Sequence, residues 1–189
     1  AVVLRSGALP VKVEIIETRT VGPTLGQDSK DKSQFAFAVG LGAVVIFMIF
    51  FYHFSGFIAD VALMAYTIML LSILYLMDAT LTLPGVAGII LSIGMAVDAN
   101  VLIFEHFKEE YQINGKSLRL SMDAGFKRAF TTIFDSNVTT LIAAGVLFFL
   151  GTGTIRGFAI TLGVGTILSM FTAITLTQFM LKLMINSKL

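Results

Sequence analysis

The chain has 189 residues, of which 56% are hydrophobic and only 13% charged, and its formal net charge is +1; its mean hydropathy is +0.90. That composition excludes a soluble domain of ordinary make-up and predicts an integral membrane protein, while the near-neutral charge gives no footing for a nucleic-acid partner. The lack of cysteine excludes a disulfide framework and thiolate metal sites.

The sequence opens on Ala1, with no charged leader ahead of a short apolar region, so no signal peptide is expected and the chain reads as a fragment. Residues 1–34 differ in character from the rest. Val11, Val13 and Ile15 alternate with Lys12, Glu14 and, less cleanly, Ile16, which predicts a short half-buried β-strand. Gly22-Pro23 and Gly26 then signal a break before Gln27-Asp28-Ser29-Lys30. One strand and a turn cannot bury a core, so this stretch reads as the trailing edge of a water-exposed domain or as an extended linker.

Five apolar stretches follow, near 35–54, 57–76, 85–104, 130–150 and 157–181, each long enough to span a bilayer as a helix. The predicted fold is therefore an all-α polytopic membrane protein: a bundle of five transmembrane helices over 35–189, preceded by a short extramembrane β segment. Connections at Ser55-Gly56, from Asp78 to Pro84 and from Gly151 to Thr154 are short, which makes sequence neighbours antiparallel neighbours in space. Only 105–128 forms a sizeable loop, with Asn114-Gly115 as the turn between two short amphipathic pieces. Lys108, Lys116, Arg119, Lys127, Arg128, Lys182 and Lys188 lie on the side of that loop, against Arg19, Lys30, Lys32 and Arg156 on the other. The positive-inside rule places the loop and the C-terminus in the cytoplasm and residues 1–34 outside. In the first stretch Phe35, Phe37, Phe47, Phe50, Phe51 and Phe54 read as lipid-facing or core bulk.

Asp98 and Asp135 stand deep inside apolar runs, where an ionisable group is expensive and points to function. Asp98 lies seven residues before Glu105 and Asp135 seven after Arg128, about 10 Å into two antiparallel spans, so the carboxylates are expected at similar depth. Their surroundings echo each other, Asp98-Ala-Asn100-Val and Asp135-Ser-Asn137-Val. Residues two apart on a helix point to roughly opposite sides, so one of each pair can face a cavity while the other bonds a neighbouring helix. Thr139 shares the face of Asp135, Glu105 that of Asp98, and Gly94 removes bulk beside Asp98. Interhelical hydrogen bonding alone also accounts for Asn100, Asn137, Thr139 and Thr140. Asp60 and Asp78 stand beside short turns and are expected to be solvated, and His53 and His106 lack a third ligand at metal spacing. In the last stretch Gly157, Thr161, Gly165, Ser169, Ala173 and Thr177 recur every four residues as a ridge of small side chains for close helix packing, or for sliding. No nucleophile–base constellation or phosphate loop is visible, so no enzyme, cofactor or metal is expected; protons are the predicted coupling ion, bound and released by the intramembrane carboxylates.

These residues carry a family resemblance. Leu4 to Pro10 (LRSGALP) and Glu17 to Gly26 (ETRTVGPTLG) resemble the end of the periplasmic domain of the SecD family of bacterial protein-export membrane subunits, within the resistance-nodulation-division superfamily. TLTLPGVAGII at 80–90 running into GMAVDANVLIFE at 94–105 resembles its fourth span, and FDSNVTTLI at 134–142 with GTGTIRGFAIT at 151–161 its fifth span and the entry to its sixth. The resemblance implies five spans of a six-helix half, the bacterial inner membrane, a periplasmic N-terminal segment and a cytoplasmic C-terminus. It implies the sister subunit SecF, the SecYEG channel and YajC as partners, and an exported unfolded preprotein handled through a periplasmic domain that this sequence lacks. It further implies that the proton-motive force drives the movements that promote translocation, with Asp98 at the family's proton-linked carboxylate and Asp135 at its fifth-span aspartate. His106 stands where the family usually has Arg, which makes the charge of the cytoplasmic mouth sensitive to pH near neutrality. A proton-driven small-molecule exporter of the same superfamily and a passive assembly scaffold are the alternatives.

Overall fold

Pro23 starts the first helix, α1 (Pro23–Leu76), since its fixed φ and missing N–H suit a helix's first turn. The computed structural model describes residues 23–115 and 117–187. The strand predicted over 11–16 lies outside them, and the described residues contain no strand. The break read at Gly22-Pro23 and Gly26 is instead a helix start, supported one turn further on by Lys32, whose Nζ lies 2.7 Å from Asp28 Oδ2. Residues Ala1–Lys32 and Ser33–Leu189 form two compact units, and the bundle's packing belongs to the second.

α1 is followed by α2 (Leu83–Gln112), α3 (Leu118–Leu150), α4 (Thr154–Thr172), a π-helical turn (Ala173–Thr177) and α5 (Gln178–Ser187). Among the described residues four helices are long and apolar enough to cross a membrane, the last running from Thr154 to Leu183 through the π turn. Five separate helices were expected; the first two apolar stretches both fall within α1. That helix is broken at His53, whose backbone (φ 47°, ψ −116°) leaves the helical region. Met48 and Gly56 would be about 12 Å apart along a straight helix. Here they meet so closely that a Cβ on Gly56 would run into the Met48 carbonyl oxygen. The two limbs of α1 thus fold back on each other, which explains why glycine stands at 56.

The predicted loop 105–128 is also shorter than its sequence suggests. α2 continues to Gln112 and α3 begins at Leu118, so the amphipathic pieces are extensions of the spans. Gly115 (φ 62°) makes the turn between them, as the Asn-Gly pair predicts. At the opposite end Thr82 caps α2, its hydroxyl accepting from Gly85 N at 3.2 Å, and Pro84 sits in the first turn.

α2 is the hub. Residues around much of its circumference are buried, from Ile89, Ser92 and Ile93 through Ala96, Val97 and Asn100 to Ile103 and Phe104. The second limb of α1 lays Ala59, Leu63, Tyr66, Leu70 and Leu74 into this core. The first limb contributes a single stripe, Phe37, Leu41, Val44, Met48 and Tyr52. Its remaining phenylalanines, 35, 47, 50 and 51, are exposed, as is Phe54 just past the break, as suits a lipid-facing surface.

The four-residue ridge of α4 lies along α2. A Cβ on Gly157 would approach Thr82 Oγ1 to 2.9 Å, and one on Gly165 would stand 2.5 Å from Ser92 Cβ and 3.0 Å from the Tyr66 hydroxyl. Across the same seam, a Cβ on Gly88 would collide with Thr161 Oγ1. Thr161, Ser169, Ala173 and Thr177 are all buried. Small residues thus let the two parallel helices approach to backbone contact. The hydroxyls of Thr161, Thr166, Ser169 and Thr172 return to carbonyls of their own helix, whereas the buried Tyr66 hydroxyl at the seam has no hydrogen-bond partner among the described residues.

Candidate functional site

α2 and α3 form an antiparallel hairpin whose register is set near its turn. A Cβ on Gly125 would lie 2.8 Å from Phe107 N, so the two backbones touch there. Beyond that contact Arg128 Nη1 lies 3.3 Å from Glu110 Oε1 and 3.4 Å from Glu109 Oε2. Asn114 Nδ2 donates to Glu110 Oε2 at 3.0 Å, which compensates the burial of this carboxylate. His106 Nδ1 stands 3.4 Å from Glu109 Oε2 in the same cluster. Counted from the Phe107–Gly125 contact, Asp98 is nine residues along α2 and Asp135 ten along α3, about 14 and 15 Å. The hairpin therefore holds the two carboxylates at nearly one height.

Each Asp-x-Asn segment divides between inside and outside. Asn100 and Asn137 are buried, whereas Asp98 and Asp135 are exposed on the surface of the bundle. Asn100 Oδ1 accepts a hydrogen bond from Thr177 Oγ1 at 2.8 Å, a fully buried contact between α2 and the π turn. Neither the Asp98 nor the Asp135 carboxylate has a hydrogen-bond or ion-pair partner among the described residues. Around Gly94, one turn before Asp98, an added Cβ would meet nothing within 4 Å. Thr139 is exposed beside Asp135, and its hydroxyl donates to the Asp135 backbone carbonyl at 3.0 Å rather than to the carboxylate. Glu105 Oε1 accepts from the Tyr52 hydroxyl at 3.0 Å, which ties the end of α1's first limb to α2. Gly94, Asp98 and Glu105 thus follow one outward stripe of α2, while Asp135 and Thr139 lie on an outward stripe of α3. The packing residues Gly157, Thr161, Gly165 and Ser169 line the α2–α4 seam on the inside.

Three features are not evident from the sequence. The Asn100–Thr177 bond depends on the π turn, which no residue pattern announces. The Tyr52–Glu105 bond depends on the fold-back at His53. Asp60, expected at a solvated span end, is 7% exposed and buried; because the chain reverses at His53 rather than at Ser55-Gly56, Asp60 stands two turns inside its helix. Asp78, by contrast, is exposed in the turn after α1, with φ 50°.

The family described as "Protein export membrane protein SecD/SecF, C-terminal" matches residues 5–187. The chain is 64% identical over 187 residues to the protein translocase subunit SecD of Acidaminococcus fermentans, covering 99% of this chain and 45% of that protein. It is 56% identical over 182 residues to the SecD of Dictyoglomus turgidum, again covering 45% of the relative. The chain thus spans less than half the length of these relatives. Its backbone resembles the crystal structure of SecDF, a translocon-associated membrane protein from Thermus thermophilus, with a TM-score of 0.88 and 39% identity, covering 99% of this chain and 26% of that one. The super-membrane-facing form of SecDF gives a TM-score of 0.83. A multi-pass helical protein with this match along nearly its whole length belongs to the SecD/SecF family of protein export membrane proteins, and carries the C-terminal membrane part of its SecD branch.

Proposed function

We propose that this chain is the membrane portion of a proton-coupled subunit of the bacterial Sec export machinery. One observation carries the reading: Asp98 and Asp135 stand at matching height, their carboxylates without partners among the described residues, on the outer surface of an apolar bundle. A bare carboxylate facing lipid is costly, so that surface calls for a protein neighbour or a wetted path. This chain offers no cation there, because no Lys or Arg occurs between Lys32 and Lys108 or between Arg128 and Arg156. The neighbour is the sister subunit SecF, which brings the compensating groups to the height of Asp98, beside the SecYEG channel and with YajC as an accessory.

In this arrangement Asp98 takes up a proton from the periplasmic side and releases it toward the cytoplasmic loop. Protonation removes the charge that binds the neighbouring subunit, so the α2–α3 face repacks. Each proton crossing the membrane potential supplies about 2.3 kcal/mol per 100 mV, enough to bias a packing equilibrium. The chain crosses the inner membrane five times, the fold-back at His53 turning α1 into two crossings, with the 113–117 turn in the cytoplasm and the N-terminal segment in the periplasm. The preprotein is handled by a periplasmic domain outside this chain.

The test is Asp98→Asn in the complete membrane complex. The expected result is loss of the proton-dependent part of export and of pH-dependent conductance, with normal expression and assembly. Unchanged export and conductance would overturn the proposal.

A further inference from the structure

We propose that Asp60 is a second proton-binding site of the membrane domain, its carboxyl group held as the neutral acid inside the bundle. Asp60 lies in the second limb of α1, between Ala59 and Leu63 on the stripe that packs into the core, and is 7% exposed. Neither Oδ1 nor Oδ2 has a hydrogen-bond partner among the described residues.

No cation pairs with Asp60 among the described residues. Lys32 pairs with Asp28, Arg128 with Glu109 and Glu110, and Arg156 donates to the Gly151 carbonyl. Of the titratable groups on the elements packed together here, Tyr52 and Glu105 bond each other, and the Tyr66 hydroxyl sits at the Ser92–Gly165 crossing. Asp98, Asp135 and Lys182 are exposed. Asp60 also lies beyond the first turn after His53, where the partial positive charge of a helix N-terminus has faded. An ionised carboxylate with neither counter-charge nor donors carries the full desolvation cost, whereas the neutral acid carries only that of a polar group.

Its height gives the site meaning. The Tyr52–Glu105 bond levels the two helices. From it Asp60 is seven residues past the break at His53, and Asp98 seven residues before Glu105, each about 10 Å into the bundle. With Asp135 level with Asp98, the domain thus holds three carboxyl groups in one layer, Asp60 inside and the other two on its surface. This inference does not rest on Asp98 carrying protons.

Infrared spectroscopy of the full-length protein in lipid vesicles at neutral pH tests it, in an Asp98→Asn, Asp135→Asn background that removes the two surface carboxylates. A protonated-carboxyl stretching band is expected, lost on Asp60→Asn and displaced on Asp60→Glu, with helix content by circular dichroism unchanged. If both Asp60 variants leave that band as it was, or if the absorbance lost is that of an ionised carboxylate, the proposal fails. Should Asp60→Asn not fold, the displacement by Asp60→Glu decides alone.

Discussion

Asn100 and Asp98 stand two residues apart on α2 and meet opposite surroundings. Asn100 is enclosed, bonded to Thr177 and close to the seam where glycines and hydroxyl residues bring α2 and α4 into contact. Asp98 looks outward past the open space at Gly94. The inner side is nearly closed: Thr161, Thr166, Ser169 and Thr172 return their hydroxyls to their own helix, Thr177 gives its hydroxyl to Asn100, and an added carbon at Gly88 or Gly165 would collide across the seam. The outer side holds Asp98 and Asp135 with nothing among the described residues to answer them, while Glu105 on the same stripe is met by Tyr52. Inner-side residues should therefore govern whether the chain folds, and outer-side residues what the folded chain engages.

Gly165→Leu should do the greatest damage to stability. Even its Cβ would stand 2.5 Å from Ser92, and the forced separation of α2 and α4 should cost about 3 kcal/mol, read as earlier unfolding of the purified protein in detergent. Thr177→Val keeps the shape but leaves Asn100 Oδ1 without its donor, for a loss of about 1 kcal/mol in the same measurement. Gly94→Ala, facing open space, should change stability by less than about 0.5 kcal/mol. A large effect at Gly94 would mean that the outer side takes part in folding and would erase the contrast.

The sequence displays the outer carboxylates and the inner ridge equally well, for different reasons. An aspartate within an apolar run stands out by cost alone, and small residues at every fourth position stand out by period. The turn at Gly115 was legible too, since Asn-Gly has few other uses. Hydropathy, however, does not mark where a helix ends once it leaves the apolar layer. That is why 105–128 looked like a loop although α2 and α3 run on to Gln112 and from Leu118. Nor does it locate a reversal at a single non-glycine residue such as His53, where positive φ is uncommon. Asp60 was misplaced as a direct result: two residues of error in the turn moved it from a wet rim into the core. Asn100–Thr177 was hidden because it joins residues 77 positions apart across a π turn.

The π turn also settles a question of phase. Residues four apart on an α-helix advance by about 400°, so a ridge of that period slips sideways by about 40° at every step. Over the length from Gly157 to Thr177 such a ridge would wind well away from α2. A turn whose hydrogen bonds span five residues rather than four winds less per residue and takes back part of that slip. Thr177 and Leu181, after Ser169 and Ala173, therefore remain buried. The π turn works as a phase correction, keeping the last members of the ridge on the inner side down to the layer of Asn100.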